Sequence, residues 1–561
     1  MLKIDELPKN PKILAVDTEI YTKGRSYADP FLDDVTLLSM ADGTDIFVLT
    51  RDFIRAKQLL EDSSITKLCH NYSFDYKYLK KLGIAPVNFW DTLIVERVIQ
   101  AGRNVSNALD AVAKRRLGRS LNKSIRTSFR KSGIDREKIE YAGDDADVLV
   151  GIYKDQRKDI ENLGLIKVIE LENQVVPITA EMELHGIGFD PVAWEALKKI
   201  EEAQKYELYL KIIKALGVSS FTLSLFGDEV TSGLNLNSQK EVIKEFAKNG
   251  IYLESTDKEA IKGYLEDNPT CQVLRDFQEY RIHEKALGFD YPKWVHPKTG
   301  RIHCSFNQIG TDTARYSSND PNMQQVKRSK EWRALFTASP GKRLVTADYS
   351  QLQLRLMAEV SECQRMTDAF NKGIDLHSET ASKAFGEKIS KGDSRRQLGK
   401  NTNFAKIFGA YPKTLAASLG VDLSVAKNLS VAFEKLYPEV EDWGNAQFDF
   451  VSKHGYSLDV LNRRRWFPDI TAETMMRYRN ISRNSPIQMY EADVVKTAML
   501  GLVNNGYRPV LQVHDEIVVE VDKNDYSAEV DIPKIMKESG ETLMTKVPLE
   551  VDASISERWS K

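Results

Sequence analysis

The sequence predicts a multidomain protein, α/β at its N-terminus and α+β at its C-terminus, with a helical stretch between. Three observations carry this. The chain has 561 residues, and at roughly 100–200 residues per domain that length holds about three or four domains. Over the first ~150 residues, short apolar runs alternate with helical periodicity, the pattern of an α/β domain. Residues 160–300 carry long, densely charged amphipathic patterns, and strand-like runs return after that.

Taken in order, Lys12–Val16 reads as a short strand, and Leu37–Met40 and Ile46–Leu49 as two strands around a turn at Ala41–Asp45. Helical periodicity covers Phe53–Leu60 and Phe74–Leu82, then Glu170–Glu183 and Pro191–Leu216. Arg343–Ala347 and Val510–Val521 read as strands among helices. The boundary near 150–165 has no Pro/Gly-rich linker and is placed by the change in pattern alone.

A composition of 42% hydrophobic and 29% charged residues suits a globular protein with large cores. Cys69, Cys271, Cys304 and Cys363 lie far apart with no CxxC pair. That excludes a cysteine zinc site and a disulfide framework, and suits a reducing cytoplasm. No apolar run reaches the ~18 residues of a membrane span. The opening MLKIDELPKNPK lacks the apolar core of a signal peptide. A net charge of -2 does not by itself indicate a nucleic-acid binder. Basic clusters at Lys327–Arg333, Arg395–Lys406 and Arg463–Arg465 read equally as solvated faces or as local anion-binding surfaces.

Strand Ile13–Val16 is expected to end in Asp17-Thr18-Glu19. Residues two apart in an extended chain share a side, so both carboxylates face one site. Alone, such a pair reads as a surface turn. Two further acids give it context. Asp75 follows the apolar Ile65–Leu68 at the opening of a helix, and Tyr141-Ala-Gly-Asp-Asp145 opens another. Asp17, Glu19, Asp75 and Asp145 could converge to hold two divalent metals, for which carboxylates are suitable ligands.

A second constellation lies further on. Arg396, Lys400, Phe404 and Phe408 are spaced by four. Each step of four drifts only ~40° around a helix, so the four form one slowly turning stripe. Cations followed by rings suit a nucleoside triphosphate, though the stripe alone also reads as an amphipathic helix with snorkelling cations. Asp348 stands where the strand Arg343–Ala347 stops. His514-Asp515-Glu516 interrupts a strongly β-forming run, as a turn between two strands would.

In order and spacing, the first set resembles the DEDD-type 3′–5′ exonucleases with a tyrosine in their third motif. The resemblance implies an RNase H-like domain over residues 1–160, with Asp17, Glu19, Asp75 and Asp145 as metal ligands and Tyr141 orienting the attacking water. The second set resembles the motifs of family A DNA polymerases. Asp348-Tyr-Ser-Gln-Leu-Gln-Leu-Arg355 is similar to motif A, Arg396-x3-Lys400-x3-Phe404 to motif B, and His514-Asp515-Glu516 to motif C. The segment from Thr313 to Gln324 is similar to the family's TGRxSSxDPNLQ block. Arg463–Asp469 and Asn484-Ser-Pro-Ile-Gln488 also fit.

This resemblance implies a right-hand polymerase domain over 161–561, with thumb about 190–300, palm about 301–365 and 475–561, and fingers about 366–474. Asp348, Asp515 and Tyr349 would hold two Mg²⁺, with Mn²⁺ able to substitute. Lys400 would be catalytic and, with Arg396, would meet the triphosphate. Phe404 and Phe408 would pack on the nucleotide, and Gln353 would face its sugar. Arg315, Asn322, Gln324, Asn484, Gln488, His514 and Glu516 would contact the substrate, Arg315 and Gln488 through minor-groove acceptors common to every correct pair. The implied partners are primer-template DNA, dNTPs and a single-stranded 3′ end, bound by a cytoplasmic monomer. The rival readings are a nuclease whose C-terminal region only binds nucleic acid and an RNA polymerase of related architecture, which the Gln353 change would favour.

Several positions depart from the family pattern. Gln353 stands where motif A usually has the glutamate that excludes the ribose 2′-hydroxyl, and Phe408 where its tyrosine partner usually stands. Deoxynucleotide preference is therefore expected to persist but to be less sharp. Phe404 implies resistance to dideoxynucleotides, which members with tyrosine there accept. Ala314 replaces a glycine, Met489-Tyr490-Glu491 replaces small residues, and Asn480 stands where an arginine is usual. The chain opens at the exonuclease with no 5′-nuclease domain ahead of it, which suits a dedicated, phage-encoded replication enzyme.

Overall fold

A computed structural model describes residues 1–131, 133–218, 221–225, 228–471 and 473–560. Positions 219, 220, 226 and 227 of the expected thumb lie outside the described residues.

The N-terminal unit is a six-stranded sheet in the order Leu2–Ile4, Ile46–Leu49, Asp34–Ala41, Ile13–Tyr21, Thr66–Cys69, Phe89–Asp91. Ile13–Tyr21 runs antiparallel to Asp34–Ala41 and parallel to Thr66–Cys69. It is covered on both faces, so Leu14, Ala15 and Val16 are all buried, as the core of such a sheet requires. The strand does not stop at Val16. It continues to Tyr21, and Asp17 and Glu19 are interior strand residues paired with Ser39 and Leu37. A register shift follows directly after Glu19, the kind of bulge that re-aims side chains beside a site.

Helix Arg136–Leu163 also starts earlier than its acids suggest, because Asp135 caps it by accepting from the Lys138 amide at 2.8 Å. Tyr141 and Asp145 therefore lie one turn apart inside the helix, on one face. The helix ends at Gly164 in the left-handed conformation (φ 66). This places the change in pattern noted near 150–165 at a helix end.

The C-terminal unit is built on a four-stranded antiparallel sheet, ordered Arg508–Val513, Glu516–Asp522, Lys342–Tyr349, Val551–Ser556. Its core includes Leu344, Val345, Ala347, Ile517, Val518 and Val519. Helix Met475–Asn504 packs against Ile166–His185, Leu352–Ser361 and Ala528–Glu541. A separate apolar cluster, including Phe246 and Phe277, closes the helical segment around residues 208–280.

The arginine cluster at 463–465 is not a uniform solvated face. Arg463 is 1% exposed. It bonds Glu172 at 2.7 Å and also Asp493, while Lys496 reaches Glu172 at 2.6 Å. This buried network ties Ile166–His185 to Met475–Asn504. Replacing Arg463 by methionine leaves buried carboxylates uncompensated and is expected to destabilise the fold by about 3 kcal/mol. Chemical denaturation of wild type and variant measures this, and a loss below about 1 kcal/mol would contradict it.

Candidate nucleotidyl-transfer and exonuclease sites

Both sequence constellations form cavities. The first, of about 1040 Å³, is lined by Asp17, Glu19, Asp75, Tyr141 and Asp145, with His70 and Phe74 beside them. Asp75 lies in the first turn of helix Tyr72–Lys81, held there by Thr18, whose amide (3.0 Å) and hydroxyl (2.6 Å) both donate to Asp75 Oδ1. The Asp91 carboxylate anchors the start of the same helix by accepting from the Asn71 and Tyr72 amides.

Burial first, and then the like charges around them, raise the pKa values of these carboxyl groups. Burial, followed by Asp75, Glu19 and Asp145, pushes Asp17 well above the usual carboxylate range. Burial and then Asp145 push Glu19 up to about 8. Burial also raises Asp75 to about 7, against the lowering effect of the Thr18 bonds. Among the described residues no three such side chains are drawn together closely enough to grip an ion as they stand. Instead Lys123, which sequence reasoning missed, bonds both Asp145 oxygens at 2.8 and 3.0 Å and lies 3.4 Å from the Tyr141 hydroxyl. Arg25, Arg97, Arg126 and Arg130 complete a basic rim. The run Lys123-Ser-Ile-Arg126-Thr-Ser-Phe-Arg130 was the available signal. An all-oxygen, mutually repelling donor set suits a hard divalent cation.

The second cavity, of about 830 Å³, is lined by Arg315, Asp348, Tyr349, Gln353, Lys400, Phe404, His514, Asp515 and Glu516. Asp348 is the penultimate residue of its strand, flanked across the sheet by Glu516 and Asp552. Asp515 occupies a two-residue turn whose first residue, His514, has φ 60, a geometry that matches the strand twist. Burial raises the Asp515 pKa, with Glu516 adding to it and Arg328 and Arg315 opposing. The Tyr349 ring points away from the cavity, its hydroxyl donating to the Met536 carbonyl at 2.6 Å. Only its main chain is left to serve as a ligand. Glu516 accepts from Arg333 and Trp559, both at 2.7 Å.

The four-residue stripe divides. Lys400 and Phe404 line the cavity. Arg396 is ion-paired with Asp375 on the neighbouring helix Leu376–Phe385's N-terminal cap. Phe408 ends the helix Arg396–Ile407 and packs on the core. Asn322 and Gln324 line an adjoining cavity that shares Arg315 and His514. There Asn322 accepts from the Gln324 amide, and Gln324 donates to Gln512 at 3.1 Å. Gln488 accepts from the Thr313 hydroxyl at 3.1 Å, and Asn484 Oδ1 is buried with no partner among the described residues.

Glu491 is the other missed residue. It lies on helix Met475–Asn504, is 2% exposed, and faces both cavities. Gln353 donates to its Oε2 at 2.8 Å and Arg315 bonds the same oxygen. Burial raises its pKa, and Arg315 opposes that rise. The signal was an acid where small residues are usual.

A family described as DNA polymerase family A matches residues 211–561, and one described as 3′-5′ exonuclease matches residues 3–161. This chain belongs to DNA polymerase family A. An exonuclease domain precedes its polymerase domain. The DNA polymerase I of Aquifex aeolicus is 30% identical over 598 aligned positions, covering 99% of this chain and 96% of that protein. The DNA polymerase I of Rhizobium leguminosarum is 29% identical over 548, and there the chain spans only 52% of its relative's length. The fold is also that of the POL domain of Pol1 from M. smegmatis, solved in complex with DNA primer-template and dNTP. That likeness has a TM-score of 0.80 at 24% identity, covering 97% of this chain and 95% of that one. No helix among the described residues is long and apolar enough to cross a membrane.

Proposed function

We propose that the chain is a template-directed DNA polymerase that adds dNTPs to a primer 3′ end and removes mispaired ends in its N-terminal cavity. The observation that carries this is the convergence of Asp348, near the end of its strand, and Asp515, in the turn that leads into the neighbouring antiparallel strand, with Lys400 and Phe404 from one helix face. Residues 1–160 are the exonuclease, about 190–300 the thumb, about 366–474 the fingers, and 301–365 with 475–561 the palm.

Asp348, Asp515 and the Tyr349 main chain would hold Mg²⁺ in one site and Asp17, Glu19, Asp75 and Asp145 in the other, and the bound ion would supply Lewis-acid stabilisation of the attacking and leaving oxygens. The protein supplies the rest. Lys400 neutralises the triphosphate and gives a proton to the departing pyrophosphate. Arg396 assists once it exchanges Asp375 for phosphate. Phe404 packs on the incoming sugar and base, with Phe408 behind it. Gln353 faces the sugar. Arg315 and Gln488 read the minor groove at the primer end, Asn322, Gln324 and Asn484 support that contact, and His514 and Glu516 flank the terminus. In the exonuclease cavity Tyr141 orients the water, and the basic rim draws in the single-stranded end.

Extension of a primer with a mismatched 3′ end, in Mg²⁺ with all four dNTPs, tests the reading. Excision followed by synthesis is expected. Excision with no synthesis on any primer would leave the nuclease reading instead.

Phe404 has its own consequence. The ring offers no hydroxyl to a nucleotide, so a dideoxynucleotide finds no substitute for its missing 3′-oxygen. Phe404→Tyr is expected to raise dideoxynucleotide incorporation by at least about tenfold relative to dNTP, the worth of one hydrogen bond to a charged partner. Competitive incorporation assays read this ratio directly, and an unchanged ratio counts against the placement of Phe404 at the sugar.

A further inference from the structure

In this chain the gate residue of motif A has lost its carboxylate and its tyrosine partner together, as Gln353 and Phe408. A carboxylate is nonetheless present at that place. It comes from the facing helix, as Glu491. One oxygen of Glu491 receives the Gln353 amide at 2.8 Å and the Arg315 guanidinium. These three residues belong to three separate segments: the first turn of helix Leu352–Ser361, the middle of Met475–Asn504, and the loop before strand Ser317–Asn319.

The chemistry of this junction is restrictive. A carboxylate only accepts, so the Gln353 NH₂ must face it and the amide plane is fixed. Arg315 cannot lose its charge, and its Nε is buried with no partner among the described residues. At 2% exposure, Glu491 has no bulk water to replace either donor.

We propose that Glu491 is a positioning residue that couples sugar selection to the check on the primer end, by holding Gln353 and Arg315 on one carboxylate. This rests on the polymerase reading above. Gln353 is rigid enough to exclude a 2′-hydroxyl only while Glu491 holds its amide. Arg315 is presented to the primer terminus from the same anchor. Loss of the Glu491 side chain therefore releases both contacts at once.

The test measures two ratios by single-turnover extension: dNTP over rNTP incorporation, and matched over mismatched primer-end extension. Glu491→Ala removes the anchor, and both ratios are expected to fall by about tenfold, the loss of roughly one charge-assisted hydrogen bond each. Glu491→Gln can still accept from Gln353 but no longer pairs with the Arg315 charge. Its sugar ratio should stay within about threefold of wild type while the primer-end ratio falls as in Glu491→Ala.

Double variants with Gln353→Ala and Arg315→Ala should be non-additive with Glu491→Ala. Excision of a single-stranded oligonucleotide in the separate exonuclease cavity reports that each variant is folded. If Glu491→Ala lacks that activity, Glu491→Gln alone decides. A uniform loss of rate with both ratios unchanged overturns the inference, and so does a fall in one ratio only in Glu491→Ala. Failure of the wild type to extend any primer overturns the polymerase reading instead.

Discussion

Replacing Asp515 by alanine is expected to abolish primer extension, by about 10⁴-fold or more in rate, while excision of a single-stranded end continues. Asp515 lines the cavity together with Asp348, Glu491, Glu516 and Asp552, and it stands in a two-residue turn. Glu491 is taken up by Gln353 and Arg315. Glu516 points to Arg333 and Trp559, and Asp552 lies on the far side of Asp348. The change should not unfold the chain. The left-handed position in the turn belongs to His514, not Asp515, so alanine meets no backbone strain. Burial already disfavours the Asp515 charge, so removing it costs the fold little. Single-turnover extension of a matched primer in Mg²⁺ measures the effect, with excision as the control for folding. Synthesis within about tenfold of wild type would sink the assignment of Asp515 as a ligand.

Much of this was legible in the sequence because the chemistry needs particular residue types at strand ends and helix faces. The alternating patterns gave the strands at 37–40 and 46–49, the helices at 170–183 and 191–216, and the hairpin around Asp515. Element ends were less legible, and the reasons are local. Asp17 and Glu19 look like the end of a strand because they are polar, yet the sheet carries them inward as a functional cost. Tyr141 looks like a helix start because acids cluster after it, yet the cap is Asp135. Contacts across segments were not legible at all. Periodicity places Arg396 beside Lys400, but only the fold shows it facing Asp375. Glu491 could be seen as an oddity, but its meaning needed Gln353 and Arg315 to be brought to it.

The second large effect is expected in the other cavity. Asp17→Ala should remove excision by about 10³-fold or more while primer extension persists, so mismatched ends are no longer corrected. The same carboxylates make a prediction about stability. Glu19 is raised from 4.5 to about 8, chiefly by burial and then by Asp145. An acid whose folded pKa exceeds its unfolded value binds its proton more tightly in the fold. Its favourable contribution is complete below about pH 4.5 and is lost as pH rises through about 8. In chelator, wild type should therefore weaken across that window relative to Glu19→Gln, whose amide cannot ionise. The two should melt alike near pH 5. At about pH 8.5 the variant should be more stable by roughly 1–2 kcal/mol, allowing for solvent in the open cavity. Added Mg²⁺ should favour wild type and erase the difference, because an ion that binds only the folded carboxylate set stabilises it by mass action. Thermal melts at the two pH values, with and without Mg²⁺, separate these cases. A variant less stable than wild type in chelator at high pH would mean that the four carboxylates do not repel one another as their placement requires.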